Sequence, residues 1–196
     1  MGNTVFADTN IVEKPDAVKV FVGATPQEHT LSRMSFSAER MSAINEKNQN
    51  APEKTNVAVI SFDRYMTAKE VESVVAEIAD CNVKEIFWGI PGVDGRAVIG
   101  KTGDGTITER VNTNFSEMLE SEKNPEMQQE ILSYWNNAEI FAITVETTNN
   151  EIAKASKMDS VNFIDTYDYP EAEKIAERRN VSVSYISVPE KPDDAK

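Results

Sequence analysis

Cysteine and histidine are almost missing from this chain: Cys81 and His29 stand alone among 196 residues. A single cysteine excludes an intrachain disulfide and a thiolate metal cluster. A single histidine, in the polar context TPQEHTLS, leaves a histidine-based zinc site without partners, and a Ser–His–Asp triad would have to use His29. Basic residues are scarce too, 20 against 33 acidic ones, for a net charge of −13. A field of that sign repels phosphodiester backbones and anionic lipid headgroups, so no nucleic-acid partner is expected. No apolar run approaches the ~18 residues of a membrane span. Asp63, Asp94, Asp104, Asp159, Asp165 and Asp168 do not fall in the spacing of a calcium loop, and no serine sits in a G-x-S-x-G turn. These absences point away from catalysis, and no cofactor or metal is expected.

What is present is periodicity. AVKVFVG (17–23) reads as a strand, and Leu31, Met34, Ala38 and Met41 fall at helical spacing after it. The clearest unit follows. VAVISF (57–62) has the apolar run of a buried strand, and Val71, Val74, Val75 and Ile78 then form one helical stripe. Thr67 with Glu70 spells a capping box, Met66 with Val71 a hydrophobic staple, and VKEIFWGI (83–90) returns as a strand. A second β-α-β unit runs through EIFAITVE (139–146), a second capping box of Thr148 with Glu151, the stripe Ile152, Ala155 and Met158, and VNFIDT (161–166). Two such units can build a ferredoxin-like sheet with its helices on one face.

Between the units, Ile107 to Leu119 and a segment opened by Pro125 read as helices. A last helix begins at Pro170, and VSVSYISV (181–188) is a last strand. The expected fold is α+β, a mixed sheet with an inserted hairpin and helices. A three-layer α/β sheet is the alternative. One domain is expected over 17–188, between flexible segments at 1–16 and 189–196. Val5-Phe6-Ala7 before Asp8 resembles the small-residue end of a secretory signal. That sets the expectation of an exported or cell-surface protein, with the cytoplasm as the alternative.

GRAVIGKT (95–102) matches the phosphate-binding pattern G-x-x-x-x-G-K-T. Its nucleotide-binding residues would be Gly95, Gly100, Lys101 and Thr102. The chemistry of such a loop sets its own tests. A cradle needs a curled backbone, yet Ala97, Val98 and Ile99 form an apolar run that prefers extension. A helix should open at Thr102, yet Gly103 and Gly105 occupy its first turn. Asp94-Gly95 is a hairpin signal between two apolar runs, so the backbone from Arg96 to Gly100 is expected stretched out in a sheet. The favoured function is a non-enzymatic interaction or regulatory domain with a protein partner. Its contact surface would comprise Trp88, Gly92, Asp94, Gly95 and Arg96, with one of Phe87 and Trp88 facing outward. A nucleotide-binding protein and a small-molecule binding protein are the alternatives. Cys81, beside Asp80, reads as a thiol of raised pKa.

Overall fold

The computed structural model describes residues 10–25, 30–93, 97–99 and 105–192. Its frame is a five-stranded sheet of β3 (Thr55–Met66), β4 (Asn82–Gly89), β5 (Ala97–Ile99), β6 (Glu139–Thr148) and β7 (Val161–Thr166). The strand order is β5-β4-β6-β3-β7, and every neighbouring pair is antiparallel. Without β5, this is the ferredoxin-like arrangement expected of two β-α-β units, with their first strands, β3 and β6, side by side at the centre. The chain is an α+β protein.

Each unit is explained by its own residues. In β3, Ala58, Ile60 and Phe62 point to one face and Val59 to the other, both faces being covered. Helix α2 (Ala68–Ala76) starts at Thr67, whose hydroxyl accepts from the Glu70 amide while the Glu70 carboxylate accepts from the Thr67 amide at 2.8 Å. The staple pair Met66 and Val71 is buried below it. The helix ends sooner than the stripe's spacing suggests: it stops at Ala76, Ile78 is buried beyond its end, and Asp80 at φ 49° takes the left-handed position in the turn before β4. In the second unit Thr148 caps α5 (Asn149–Ala155), but only half of the expected box forms. The Glu151 carboxylate instead takes the Ala79 amide at 2.9 Å and ties the two units together.

The helices α2 and α5, together with α3 (Ile107–Ser121) and α4 (Pro125–Asn137), lie on one face over Ile60, Ile86, Ile140, Ile143 and Ile164. Burying each such side chain contributes about 1.5–3 kcal/mol. The opposite face carries a second, smaller sheet that the sequence did not announce. It orders β1 (Ile11–Glu13), β2 (Ala17–Val22) and β8 (Ser182–Ser187), with β1 antiparallel and β8 parallel to β2. The mixed pairing expected of the main sheet therefore belongs to this one. Val18, Val20 and Val22 pack with Ala172 and Ala176 of α6 (Pro170–Arg179), and Val59 of β3 joins them from the main sheet. Glu85 of β4 bridges the sheets as well, accepting from Thr144 and Ser187 hydroxyls at 2.6 Å each. Order extends past both expected boundaries: β1 lies before residue 17, and Pro189, Glu190 and Pro192 are buried after residue 188.

Helix α1 (Thr30–Asn50) forms where its spacing predicts, but of its apolar stripe Met41 packs against the core while Met34 and Ala38 do not. Met34 is 63 % exposed and Ala38 is exposed. The helix is held instead by cations seven residues apart, about two turns each. Arg33 pairs with Glu190 at 2.5 Å, Arg40 lies 3.8 Å from Asp165, and Lys47 pairs with Asp168 at 3.0 Å. Ile44 and Phe36 add apolar contacts, Phe36 against Phe163.

Candidate functional site

Strand β4 leads into the loop the sequence singles out. Trp88 turns to the helical face, stands edge-on to Phe115 at 5.9 Å, and is only 5 % exposed. Its carbonyl accepts the Tyr134 hydroxyl at 3.2 Å. Phe87 turns to the other face, against Phe141, and is 1 % exposed. Phe87 packs with Phe141, Ala142 and Tyr65 of its own sheet and Trp88 with Phe115, so the expectation of an outward-facing aromatic is corrected. Trp88 is core at this end of the sheet.

The exposed apolar side chains here are smaller. Val93 is 51 % exposed and Val98 is 49 % exposed. Val98 sits opposite Phe87 in the antiparallel β4–β5 pair. Gly92, at φ 73° with open space around it, makes the turn that leads to Val93. Strand β5 is the terminal strand of the sheet, so its outer side has no strand partner among the described residues. Asp94, Gly95 and Arg96 lie outside the described residues.

The same is true of Gly95, Gly100, Lys101 and Thr102, the residues of the phosphate-loop pattern. What is described bears on the chemistry around them. Ala97, Val98 and Ile99 pair with Trp88, Phe87 and Ile86, so this part of the motif is extended strand, as its composition predicts. The following helix opens at Thr106, which forms a capping box with Glu109. The Glu72 carboxylate from α2 takes the Thr108 amide at 2.8 Å. The positive end of α3 is thus filled by two of the chain's own carboxylates, where a phosphate would need open amides.

Beside it lies a groove of about 450 Å³ lined by Glu72, Cys81, Asn82, Val83, Thr106 and Arg110. Arg110 is 6 % exposed and donates to the carbonyls of Val83 at 2.9 Å and Lys84 at 3.5 Å. Burial lowers its pKa from the ordinary arginine value. Burial, seconded by the Glu151 charge, pushes the Cys81 thiol up to about 11, so the source is not the neighbouring Asp80. A thiol held protonated at neutral pH is a poor nucleophile. Among the described residues no group of three or more metal-ligating side chains comes together, and no helix is long and apolar enough to cross a membrane.

Among the described residues the most heavily buried titratable group is one the sequence marked only as an aspartate outside calcium-loop spacing. Asp165 of β7 is fully buried. It accepts from the Tyr169 hydroxyl at 2.6 Å, the Gly23 amide at 3.0 Å and the Thr166 amide at 2.9 Å. The Arg40 guanidinium lies over the Tyr169 ring, 4.1 Å from its centroid. Desolvation raises the Asp165 pKa above the ordinary 3.8 against the pull of Arg40 and these donors. The seven-residue spacing of Arg33, Arg40 and Lys47 was the available sequence signal for this seam.

Comparison of the chain with family models, with curated proteins and with solved structures gives no match.

Proposed function

We propose that this chain is a non-enzymatic interaction domain that docks a protein partner along the rim of the β4–β5 hairpin. The observation that carries the reading is the pair Val93 and Val98, about half exposed on either side of one hairpin at the end of a sheet whose other described large apolar side chains are buried or half-buried. An edge strand with no outer neighbour offers backbone groups to an extended segment, and adjacent apolar side chains supply area for specificity. The net charge of −13 favours a basic partner and speeds its approach. The protonated thiol of Cys81 and the carboxylate-filled start of α3 support a binding role over nucleophilic or nucleotide chemistry.

The test places a photo-cross-linking side chain at Val98 and, as a control, at Met34, which is 63 % exposed on α1. A partner adduct formed from position 98 and not from 34, and lost when Val93→Asp is added, supports the reading. Identical adducts from both positions defeat it.

A further inference from the structure

The segment after β8 runs in neither strand nor helix from Val188 to Lys191, yet it carries a buried carboxylate. Glu190 is 5 % exposed. One carboxylate oxygen accepts the Thr25 hydroxyl at 2.7 Å and meets the Arg33 guanidinium at 2.5 Å. The other accepts the Asn162 amide at 3.3 Å, and the Glu190 backbone amide donates to Ser61 Oγ at 3.2 Å. Upstream, the Val188 amide donates to the Val22 carbonyl at 2.7 Å, and Pro189 Cα lies 3.2 Å from where a Cβ on Gly23 would stand. Downstream, Lys191 Nζ donates to the Val93 carbonyl at 3.0 Å.

The donors to the carboxylate come from the chain after β2, from α1 and from β7, and the acceptor for the Glu190 amide comes from β3. The seat is therefore assembled by the body of the fold, and the segment occupies it as a bound peptide would. A buried carboxylate is costly unless it is paired and hydrogen-bonded, and a cation, a hydroxyl and an amide converging on one group form a complete receptor for it. Short irregular segments held by side-chain contacts open locally before the fold does. An intramolecular occupant acts at an effective concentration in the millimolar range, which masks a site of modest intrinsic affinity.

We propose that the seat formed by Thr25, Arg33, Ser61 and Asn162 is a carboxylate-peptide recognition site, filled in cis by Val188–Lys191. Its ligand class is an extended acidic peptide with a Pro-Glu step. The claim stands apart from the hairpin reading because the seat is drawn from the chain after β2, from α1, from β3 and from β7, and among the described residues no hairpin side chain is part of it. Among the described residues Lys191 links the two, so that a peptide displacing the segment also withdraws a brace from Val93.

The probe is a fluorescein-labelled synthetic peptide of residues 186–194, ISVPEKPDD, followed by anisotropy against the full chain. Glu190→Gln keeps the shape of the cis occupant and removes its charge. The labelled peptide is expected to bind this variant at least tenfold more tightly than it binds the unaltered chain. Adding Arg33→Met, or replacing the peptide's own glutamate by glutamine, should abolish the gain. Equal affinity for the two chains, or indifference to the peptide's glutamate, overturns the proposal. Should Glu190→Gln fail to fold, hydrogen exchange on the unaltered chain decides. The Val188 and Glu190 amides must exchange through an opening separate from that of β3, and exchange only together with β3 refutes the site.

Discussion

Gly23 follows β2 at φ 93°, and an alanine there meets three obstacles. The positive φ itself costs a residue with a Cβ about 1–2 kcal/mol. The added methyl would stand 2.7 Å from Val59 Cγ1 and 3.2 Å from Pro189 Cα, one in the core and the other in backbone. Forcing a group into such space costs about 1–3 kcal/mol. A backbone shift that relieved the clash would stretch the bond from the Gly23 amide to the buried Asp165 carboxylate, now 3.0 Å long. Weakening a hydrogen bond to a charged group loses a further ~1.5 kcal/mol or more. The clash and the shift are alternatives in part, so the expected loss for Gly23→Ala is about 3–5 kcal/mol. For a chain of this size that is a fall in Tm of roughly 6–20 °C. Urea denaturation with scanning calorimetry measures it, and Val59→Ala tests its source. The two substitutions should combine to at least about 1 kcal/mol less than their sum, because the smaller side chain makes room for the methyl. A loss under about 1 kcal/mol for Gly23→Ala would refute the packing argument. Strict additivity would show that Val59 is not the obstacle.

Arg40→Met strips the buried Asp165 of its cation and the Tyr169 ring of its guanidinium. A loss of about 3 kcal/mol in urea denaturation is expected, since breaking a buried pair strands the remaining charge. Cys81, with its thiol pushed up to about 11, should react with a disulfide reagent at pH 8 roughly a hundredfold more slowly than an ordinary cysteine. Its rate should keep climbing about tenfold per pH unit up to pH 10, which a stopped-flow pH series would follow. Glu70, Glu72 and Glu151 are held below their ordinary 4.5, chiefly by the amides of Thr67, Thr108 and Ala79. Their contribution to stability is present above that ordinary value and is lost as pH falls through the depressed values, so Tm should drop in acid and Glu72→Gln should make the drop shallower. Asp165 has the opposite sign. Its raised pKa favours the fold while it is protonated, a contribution lost as pH rises through its folded value, and an NMR titration should place its midpoint above 3.8.

The parts of this structure that were legible in the sequence are those fixed by local chemistry. The Thr67–Glu70 box, the Met66–Val71 staple and the apolar alternation of β3 state their roles within a few residues, and the two β-α-β units followed from them. Pro170 at the first position of α6 and Asn180 in the left-handed conformation just past its end are equally local. What could not be read depends on partners distant in sequence. The stripe Leu31, Met34, Ala38, Met41 gave the right helix but only part of its inner face: Met41 reaches the core, while Met34 and Ala38 turn outward because much of the surface opposite α1 is made of Glu190, Asp165 and Asp168. Glu151 was expected to close its own cap and instead spans to Ala79, an amide left by the early end of α2. Phe87 and Trp88 offered no sign that both would be buried, one among Phe141 and Tyr65 and the other against Phe115. Of the candidate contact surface, only Gly92 is solvent-exposed among the described residues, and the apolar side chains that carry the proposal, Val93 and Val98, were read merely as loop and return strand.

The three cations of α1 also set what the helix can tolerate over generations of mutation. Each residue advances the helix by about 100°, so one deletion between Arg33 and Lys47 would swing a cation out of line with its carboxylate, while a change of side chain on the outward face would disturb nothing. Homologous helices should therefore vary freely in composition at positions such as Met34 and Ala38, yet keep their length, with insertions collecting outside the span that joins the first cation to the last.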